Sequence, residues 1–488
     1  MSTHTAVPTP ARVHPRRWTA LALICAAQFM LILDVTVVNV ALPAISTDLD
    51  LGRTALTWVV TAYTLCFGGL MLLGGRLADA LGARRVLLTG LALFTAASLV
   101  CGLAPNATVL LTGRVAQGIG AALLSPAALA LVTTTFHGPE RARALGVWAA
   151  IGGTGSAVGV VLGGALTSGP GWPWIFYANV PTGLALLATL PRLLPKPAPT
   201  GDATTGDATT ASATTPRPPT AGAKHLDIPG ALLVTAATGA LVYGLVRAGD
   251  SGWTAPATLL PLLGALALYG AFAAAERRTR TPLMDLRMLT RRPVVAGSLL
   301  MLVATALLIS FFFLGSMRLQ HVHGLDAFRT GLLFLPVALT TAIGAHLGSR
   351  LVTTAGPRAC ATGGMALAAA GCLPLAFLTP TADPWTTLLP ALATAALGLG
   401  AVFVTATTTA LGLIPPHEAG LASGIVNTFH EVGGTIGVAV ASTLAVGTTG
   451  FTTAFTLNTA AAAAVALTAP FLIPKGRPRH PGGAHGMH

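Results

Sequence analysis

The chain has 488 residues, 53% hydrophobic and only 9% charged, with a mean hydropathy of +0.74. A water-soluble fold of this size needs far more charge, so the composition excludes a soluble globular protein and indicates an integral membrane protein. The net charge of +13 would suit a nucleic-acid partner, but the basic residues gather in alternate loops, which indicates a membrane topology and no nucleic acid.

A helix needs about 20 apolar residues to cross a bilayer core. On that measure the sequence predicts fourteen spans, at 18–43, 57–76, 86–104, 108–132, 146–167, 174–194, 228–247, 255–275, 294–316, 330–348, 359–379, 385–412, 421–445 and 451–473. Of 28 Lys and Arg, 23 fall in segments that are cytoplasmic if both termini face inward. Arg53, Arg247, Arg318 and Arg329 lie on the other side, and Arg114 lies within a span. This positive-inside pattern predicts both termini in the cytoplasm. Trp18, Trp58, Trp148, Trp172, Trp174, Trp253 and Trp385 fall at span ends, where an interfacial aromatic belt is expected. Cys25, Cys66, Cys101, Cys360 and Cys372 show no metal-type spacing and read as apolar fillers, so neither a metal nor a disulfide framework is expected. The first stretch is too long, and too polar at Gln28 and Asp34, for a cleavable signal peptide. Arg outnumbers Lys 25 to 3, which fits a high-GC genome and a multi-pass protein of a bacterial cytoplasmic membrane.

The predicted organisation is a cytoplasmic tail (1–17), a six-helix bundle (18–194), a disordered cytoplasmic linker (195–226), two inserted helices (227–275), a cytoplasmic loop (276–292), a second six-helix bundle (293–473) and a cytoplasmic tail (474–488). The linker, with its GDATTGDATT run, has little to bury. His480, His485 and His488 read as a solvated terminus. The halves echo one another. Arg76, Gly82 and Arg84 recur as Arg350, Gly356 and Arg358 at an offset of 274, and Gly155 and Gly159 as Gly433 and Gly437 at 278. Either a six-helix unit is duplicated, or Gly and Arg match by chance.

Away from the span ends, only Asp34, Arg114 and Glu431 carry a firm charge inside the spans. Such groups are costly in hydrocarbon and face a protein interior or a water-filled path. Asp34, in LDVTVVNVALP, lies roughly 13 Å from the outer end of the first helix, and Arg114 roughly 9 Å down the fourth, by the helical rise. Similar depth permits an ion pair, either static or coupled to protons. Between the second and third helices runs GGRLADALGARR (Gly74–Arg85). Gly75 and Gly82 permit a tight turn, and Asp79 can accept bonds from arginines or from a helix N-terminus and latch one conformation; the alternative is an ordinary basic loop. In the fifth helix, Gly155, Gly159 and Gly163, with Gly164 beside them, make a flat stripe for close helix packing. The sixth opens with WPWIFYANVPTG, in which Asn179 and Pro181 read as structural. Arg318, His321, His323, Asp326 and Arg329 form an outer-loop cluster, read as solvated or as a pH-sensitive gate. In the thirteenth helix, Asn427, Glu431 and Thr435 share one face. Glu431 is a second proton site, a counter-charge for a cationic substrate, or a neutral acid bonded to a neighbouring helix, while His430 points elsewhere as a packing residue. Tyr63, Gln117, Asn427, Glu431 and Thr435 are the candidate substrate-cavity residues.

The Gly74–Arg85 loop resembles the signature of the major facilitator superfamily, with Ala80 and Ala83 where basic residues are usual. The segments around Asp34 and Arg114, and Gln117–Gly118, are similar to motifs of its fourteen-spanner drug:proton antiporters. The fifth-helix glycines, extended back to Gly146, resemble the antiporter motif, with Val160 in place of its Pro. The Trp172–Gly183 segment resembles that branch too, with Pro173 where Arg is usual. The resemblance implies an all-α fold of two six-helix bundles plus two inserted helices, the export direction, and a part for Arg114 in proton transfer.

The leading expectation is a proton-driven exporter of a small hydrophobic or cationic compound, such as a drug, antibiotic or secondary metabolite. It would act as a monomer in the lipid bilayer, with no cofactor and the proton gradient as its energy source. Proton-coupled uptake of a small organic solute is the alternative, and a non-transporting receptor or scaffold a distant one. None of Lys196, Lys224 or Lys475 sits in a phosphate-binding Gly loop, so the chain has no ATP-driven motor. No hydrolase or transferase constellation appears, and no enzymatic activity is expected.

Overall fold

The computed structural model describes residues 17–136, 138–194, 227–279, 282, 286–377, 379, 383–412, 414, 419–445 and 450–473. The expected linker 195–226, the tail 474–488 with its histidines, and residues 1–16 lie outside the described residues.

Every regular element among the described residues is helical. The first half holds α1 (Arg17–Asp48), α2 (Arg53–Leu81), α3 (Ala83–Gly102), α4 (Ala107–Thr135), α5 (Gly138–Ser168), the single turn α6 (Trp174–Tyr177) and α7 (Asn179–Leu193). A pair follows, α8 (Ile228–Ser251) and α9 (Pro256–Arg278). The second half holds α10 (Arg292–His321), α11 (Ala327–Thr354), α12 (Pro357–Cys372), α13 (Leu389–Leu411), α14 (Ala419–Leu444) and α15 (Gly450–Leu472). Eleven helical segments among the described residues are long and apolar enough to cross a membrane. The other three expected spans, 146–167, 174–194 and 421–445, fall on α5, on α6 with α7, and on α14.

Two spans differ in detail from expectation. The sixth is divided at Ala178 between α6 and α7, which begins at Asn179. Pro181 then sits in the first turn of α7, where its missing N–H has no acceptor to lose. The twelfth begins with a π-helical turn, Pro384–Leu388, that runs into α13. This puts Pro390 at the start of α13, a place it tolerates for the same reason. One belt residue is also misread: Trp172 is buried, and its Nε1 donates to Asp48 Oδ2 at 2.8 Å.

The halves repeat one another in contacts as well as in sequence. Gly82 and Gly356 each join a second helix to a third with φ of +92° and +89°, a region that glycine enters without strain. Two residues on, each half has an arginine bonded to the end of its own last helix. Arg84 Nη2 donates to the Pro191 carbonyl at 2.6 Å, and Arg358 Nη2 to that of Ile473 at 2.9 Å. The fifth helix packs on the first in both halves: Gly155, Gly159 and Gly163 lie against Ile32, Thr36 and Val37 of α1, and Gly433 and Gly437 against Leu302 and Ala306 of α10. Contacts this specific favour duplication over chance.

The bundles meet along two related seams, α2 on α14 and α5 on α11. Gly68 fits beneath Glu431 in the first, and Gly331 fits beneath the Val160 carbonyl in the second. Gly164, on a different face from the rest of its stripe, contacts Ala327 and Phe328 of α11. The inserted pair lies over the first seam: α8 packs on both α2 and α14, and α9 packs on α8. Arg53 ties this corner together, donating to the Ser442 carbonyl at 3.1 Å, to the Val246 carbonyl at 3.3 Å and to Asp250.

Candidate functional site

Asp34 and Arg114 meet in the interior of the first bundle, 2% and 1% exposed. Arg114 Nη1 donates to Asp34 Oδ2 at 2.5 Å and to Gln117 Oε1 at 2.9 Å, while its Nε donates to the Val59 carbonyl at 2.9 Å. The other carboxylate oxygen, Oδ1, accepts from Gln117 Nε2 at 3.2 Å and from Asn179 Nδ2 at 3.3 Å. Gln117 also donates to Ser98 Oγ at 2.8 Å, and Cys101 Sγ lies 3.4 Å from Gln117 Oε1. The guanidinium stands 4.4 Å from the centre of the Tyr63 ring and 5.9 Å from that of Phe176. A charge taken out of water survives only when paired and fully hydrogen-bonded. Five helices supply those bonds here, α1, α2, α3, α4 and α7.

Asn179, the first residue of α7, enters this shell next to Ala178, whose backbone stays helical at φ −59° and ψ −28°. Asn179 is therefore a partner of Asp34 and not merely structural, and Cys101 lies in a polar cluster, beyond the filler role expected of it. Ser98, Asn179 and Cys101 were missed as site residues. The signal was present for Asn179, a fully amide side chain inside an apolar run.

Glu431 lies on the seam, its side chain 13% exposed. Its Cβ packs against Gly68, and its Oε1 is 3.2 Å from His430 Nδ1. His430 thus partners Glu431 instead of pointing elsewhere, and its ring centre lies 6.0 Å from that of Phe403. Thr435 Oγ1 is 2.8 Å from Thr64 Oγ1 across the seam. Of the five expected cavity residues, Asn427 is exposed and Glu431 partly so, whereas Tyr63, Gln117 and Thr435 are fully buried.

The remaining candidates do not join this centre. Asp79 and Arg85 are exposed at the α2–α3 turn, Gly75 lies 3.8 Å (as an added Cβ) from Pro126, and Arg84 is engaged with Pro191. The expected outer-loop cluster has separate tasks rather than one site, and its Arg318 and His321 lie in the last turn of α10. Asp326 caps α11, accepting from Arg329 N at 2.7 Å, and Arg318 is buried and donates to the Thr379 carbonyl at 2.5 Å. Burial, followed by the neighbouring Arg318 charge, holds the His323 imidazole below its usual range. A cavity of about 300 Å³ opens at this end between α1, α5, α10 and α11, lined by Thr47, Thr167, Ser168, Gln320 and His321 among others. Beside it, Gln320 Nε2 donates to the Val40 carbonyl at 2.9 Å and Phe328 N to Ser168 Oγ at 2.9 Å, closing one bundle on the other.

Duplicated bundles that meet on two seams, with a charged centre buried beside them, define a membrane transporter of small molecules and not an enzyme. The family model of the Major Facilitator Superfamily matches residues 24–438, and the chain belongs to that superfamily. It is 42% identical over 442 residues to the puromycin resistance protein pur8 of Streptomyces alboniger, covering 89% of this chain and 83% of that one. It is 37% identical over 429 residues to the cephamycin export protein CmcT of Amycolatopsis lactamdurans, covering 87% and 84%. The lincomycin resistance protein of Streptomyces lincolnensis is 36% identical over 431 residues, covering 87% and 83%. In fold, the chain resembles a bacterial homologue of the lysosomal transporter Spinster, with a TM-score of 0.61 at 17% identity, covering 94% and 98%. It resembles the peptide transporter POT with a TM-score of 0.64 at 15% identity, covering 93% and 96%.

Proposed function

We propose that the protein is a proton-coupled antiporter that exports small hydrophobic or cationic compounds, antibiotics among them, from a bacterial cytoplasm. Its relatives' names, puromycin and lincomycin resistance and cephamycin export, support the cargo class. The observation that carries the coupling is the buried Asp34–Arg114 pair, with Glu431 on the adjoining seam. A proton on Asp34 neutralises the carboxylate and releases Arg114; its departure restores the pair. Binding of this kind changes which packing of the two bundles is favoured, and alternating access follows as they rock about the seams. Glu431 serves as the second proton site or as counter-charge for a cation. The Asp79 turn, with Gly75, Gly82, Arg84 and Arg85, acts as a latch on one of the two states.

This reading places fourteen spans in the cytoplasmic membrane with both termini inside, working as a monomer without a cofactor. Uptake by symport is the second reading, favoured by one observation: Val160 keeps α5 unbroken where the export motif has Pro. Inverted vesicles separate the two. ATP-driven acidification should load puromycin or ethidium into vesicles carrying the wild type and not into those carrying Asp34→Asn. Loading that is absent in both, with uptake into right-side-out vesicles, would replace export by symport.

A further inference from the structure

Tyr63 is the largest polar side chain in the transport core that no hydrogen bond accounts for. It is fully buried on α2, and its hydroxyl has no partner among the described residues. Leaving a buried hydroxyl unpaired costs free energy, so one at the centre of the transport core calls for an explanation. The ring is well held: Arg114 lies over its face, and Phe67 and Phe94 flank it at 5.8 and 6.5 Å between ring centres. Two acids are tied to this part of α2 by contacts: Asp34 from α1 is bonded to the Arg114 of α4 that covers the ring, and Glu431 from α14 packs on Gly68, also on α2. Glu431 carries His430 with it, and the Cys101 thiol of α3 borders the Arg114 shell. The inserted α8 also packs on α2, but its charged residues, Asp227, Arg247 and Asp250, lie only at its ends.

We propose that the Tyr63 hydroxyl couples the two acidic sites, donating its hydrogen bond to whichever of Asp34 and Glu431 is negative and without its cation. In the present conformation Asp34 is satisfied by Arg114 and Glu431 is beside His430, so the phenol donates to neither. When a carboxylate has lost its proton and its cation, Arg114 or His430, has moved away, the phenol bonds to that carboxylate and thereby makes the protonation of one site depend on the other. Tyr63 is a positioning residue in this scheme. The inference rests on the proton reading of Asp34 and Glu431.

The test follows carboxyl protonation in the purified full-length protein by infrared absorption across pH, with Asp34→Asn and Glu431→Gln assigning the bands. No substrate is needed. Glu431→Gln should displace the Asp34 midpoint by about one pH unit, as interacting sites do, and Tyr63→Phe should abolish that displacement. Phenylalanine keeps the ring under Arg114, so packing alone predicts no change. An equal displacement with and without the hydroxyl overturns the inference, and so does no displacement in the Tyr63 protein, a result that decides even if Tyr63→Phe fails to fold. If Asp34→Asn removes no band, the proton reading itself falls.

Discussion

Asp34 and Arg114 can be separated by substitution as well as by a proton, and the two cases differ in cost. Arg114→Met strands a carboxylate that is 2% exposed, and breaking a buried pair in this way costs about 3–5 kcal/mol. Adding Asp34→Asn to that variant removes the bare charge and should recover most of the lost stability, because Asn still accepts from Gln117 and Asn179. Thermal unfolding in detergent measures this; strictly additive losses would show that the two residues are not an energetic unit. Asp34→Asn alone leaves Arg114 the uncompensated charge and should lower stability as well, while the protein that still folds should have lost gradient-driven transport. Glu431→Gln, which keeps the seam packing on Gly68, should reduce transport of cations more than of neutral compounds if the acid is a counter-charge. Equal losses for ethidium and for a neutral cargo would assign it to proton carriage.

At the scale of the helix, glycine acts here through the space it leaves. Gly163 lies against the Val37 backbone and Gly437 against the Ala306 carbonyl, whereas Gly264 on α9 has nothing nearby. Gly163→Val or Gly437→Val must push helices apart, an overpacking cost of about 1–3 kcal/mol. Gly264→Ala meets open space and should stabilise its helix by roughly 0.5–1 kcal/mol through lost backbone entropy. Unfolding midpoints should therefore move in opposite directions. A fall for Gly264→Ala would place α9 against a neighbour. Asn179 at the start of α7 also acts at this scale, donating to Asp34 across the bundle.

For the whole molecule, the decisive feature is that the two halves touch on related seams while each remains internally tied. Arg84 and Arg358 bind within their own bundles, so each bundle is braced to move as a unit. Gln320–Val40 and Phe328–Ser168 join the bundles at one end. If transport needs these contacts to part, pairing Ser168→Cys with Phe328→Cys should let an oxidant stop turnover and a reductant restore it. Transport that continues in the fully crosslinked protein would rule out opening at this end. The inserted α8 is pinned by Arg53 across the other seam, so it belongs to the same mechanical assembly as α2 and α14.

The sequence by itself determined the helical membrane class, eleven span positions that the described helices match, the internal repeat and the three charges deep inside the spans. Each of these is a property of local hydropathy, spacing or composition, which any conformation of the chain displays. It also allowed the Asp34–Arg114 pair, because depth along a helix can be counted. Only the tertiary structure decided which side chains complete that pair. Ser98, Gln117, Asn179 and Tyr63 reach it from separate helices, and the rotation of each helix about its axis is settled by packing against the others. The same reason explains why Tyr63 is sealed in the core instead of lining a cavity, why His430 meets Glu431, and why Arg84 binds a carbonyl over a hundred residues away rather than its neighbour Asp79.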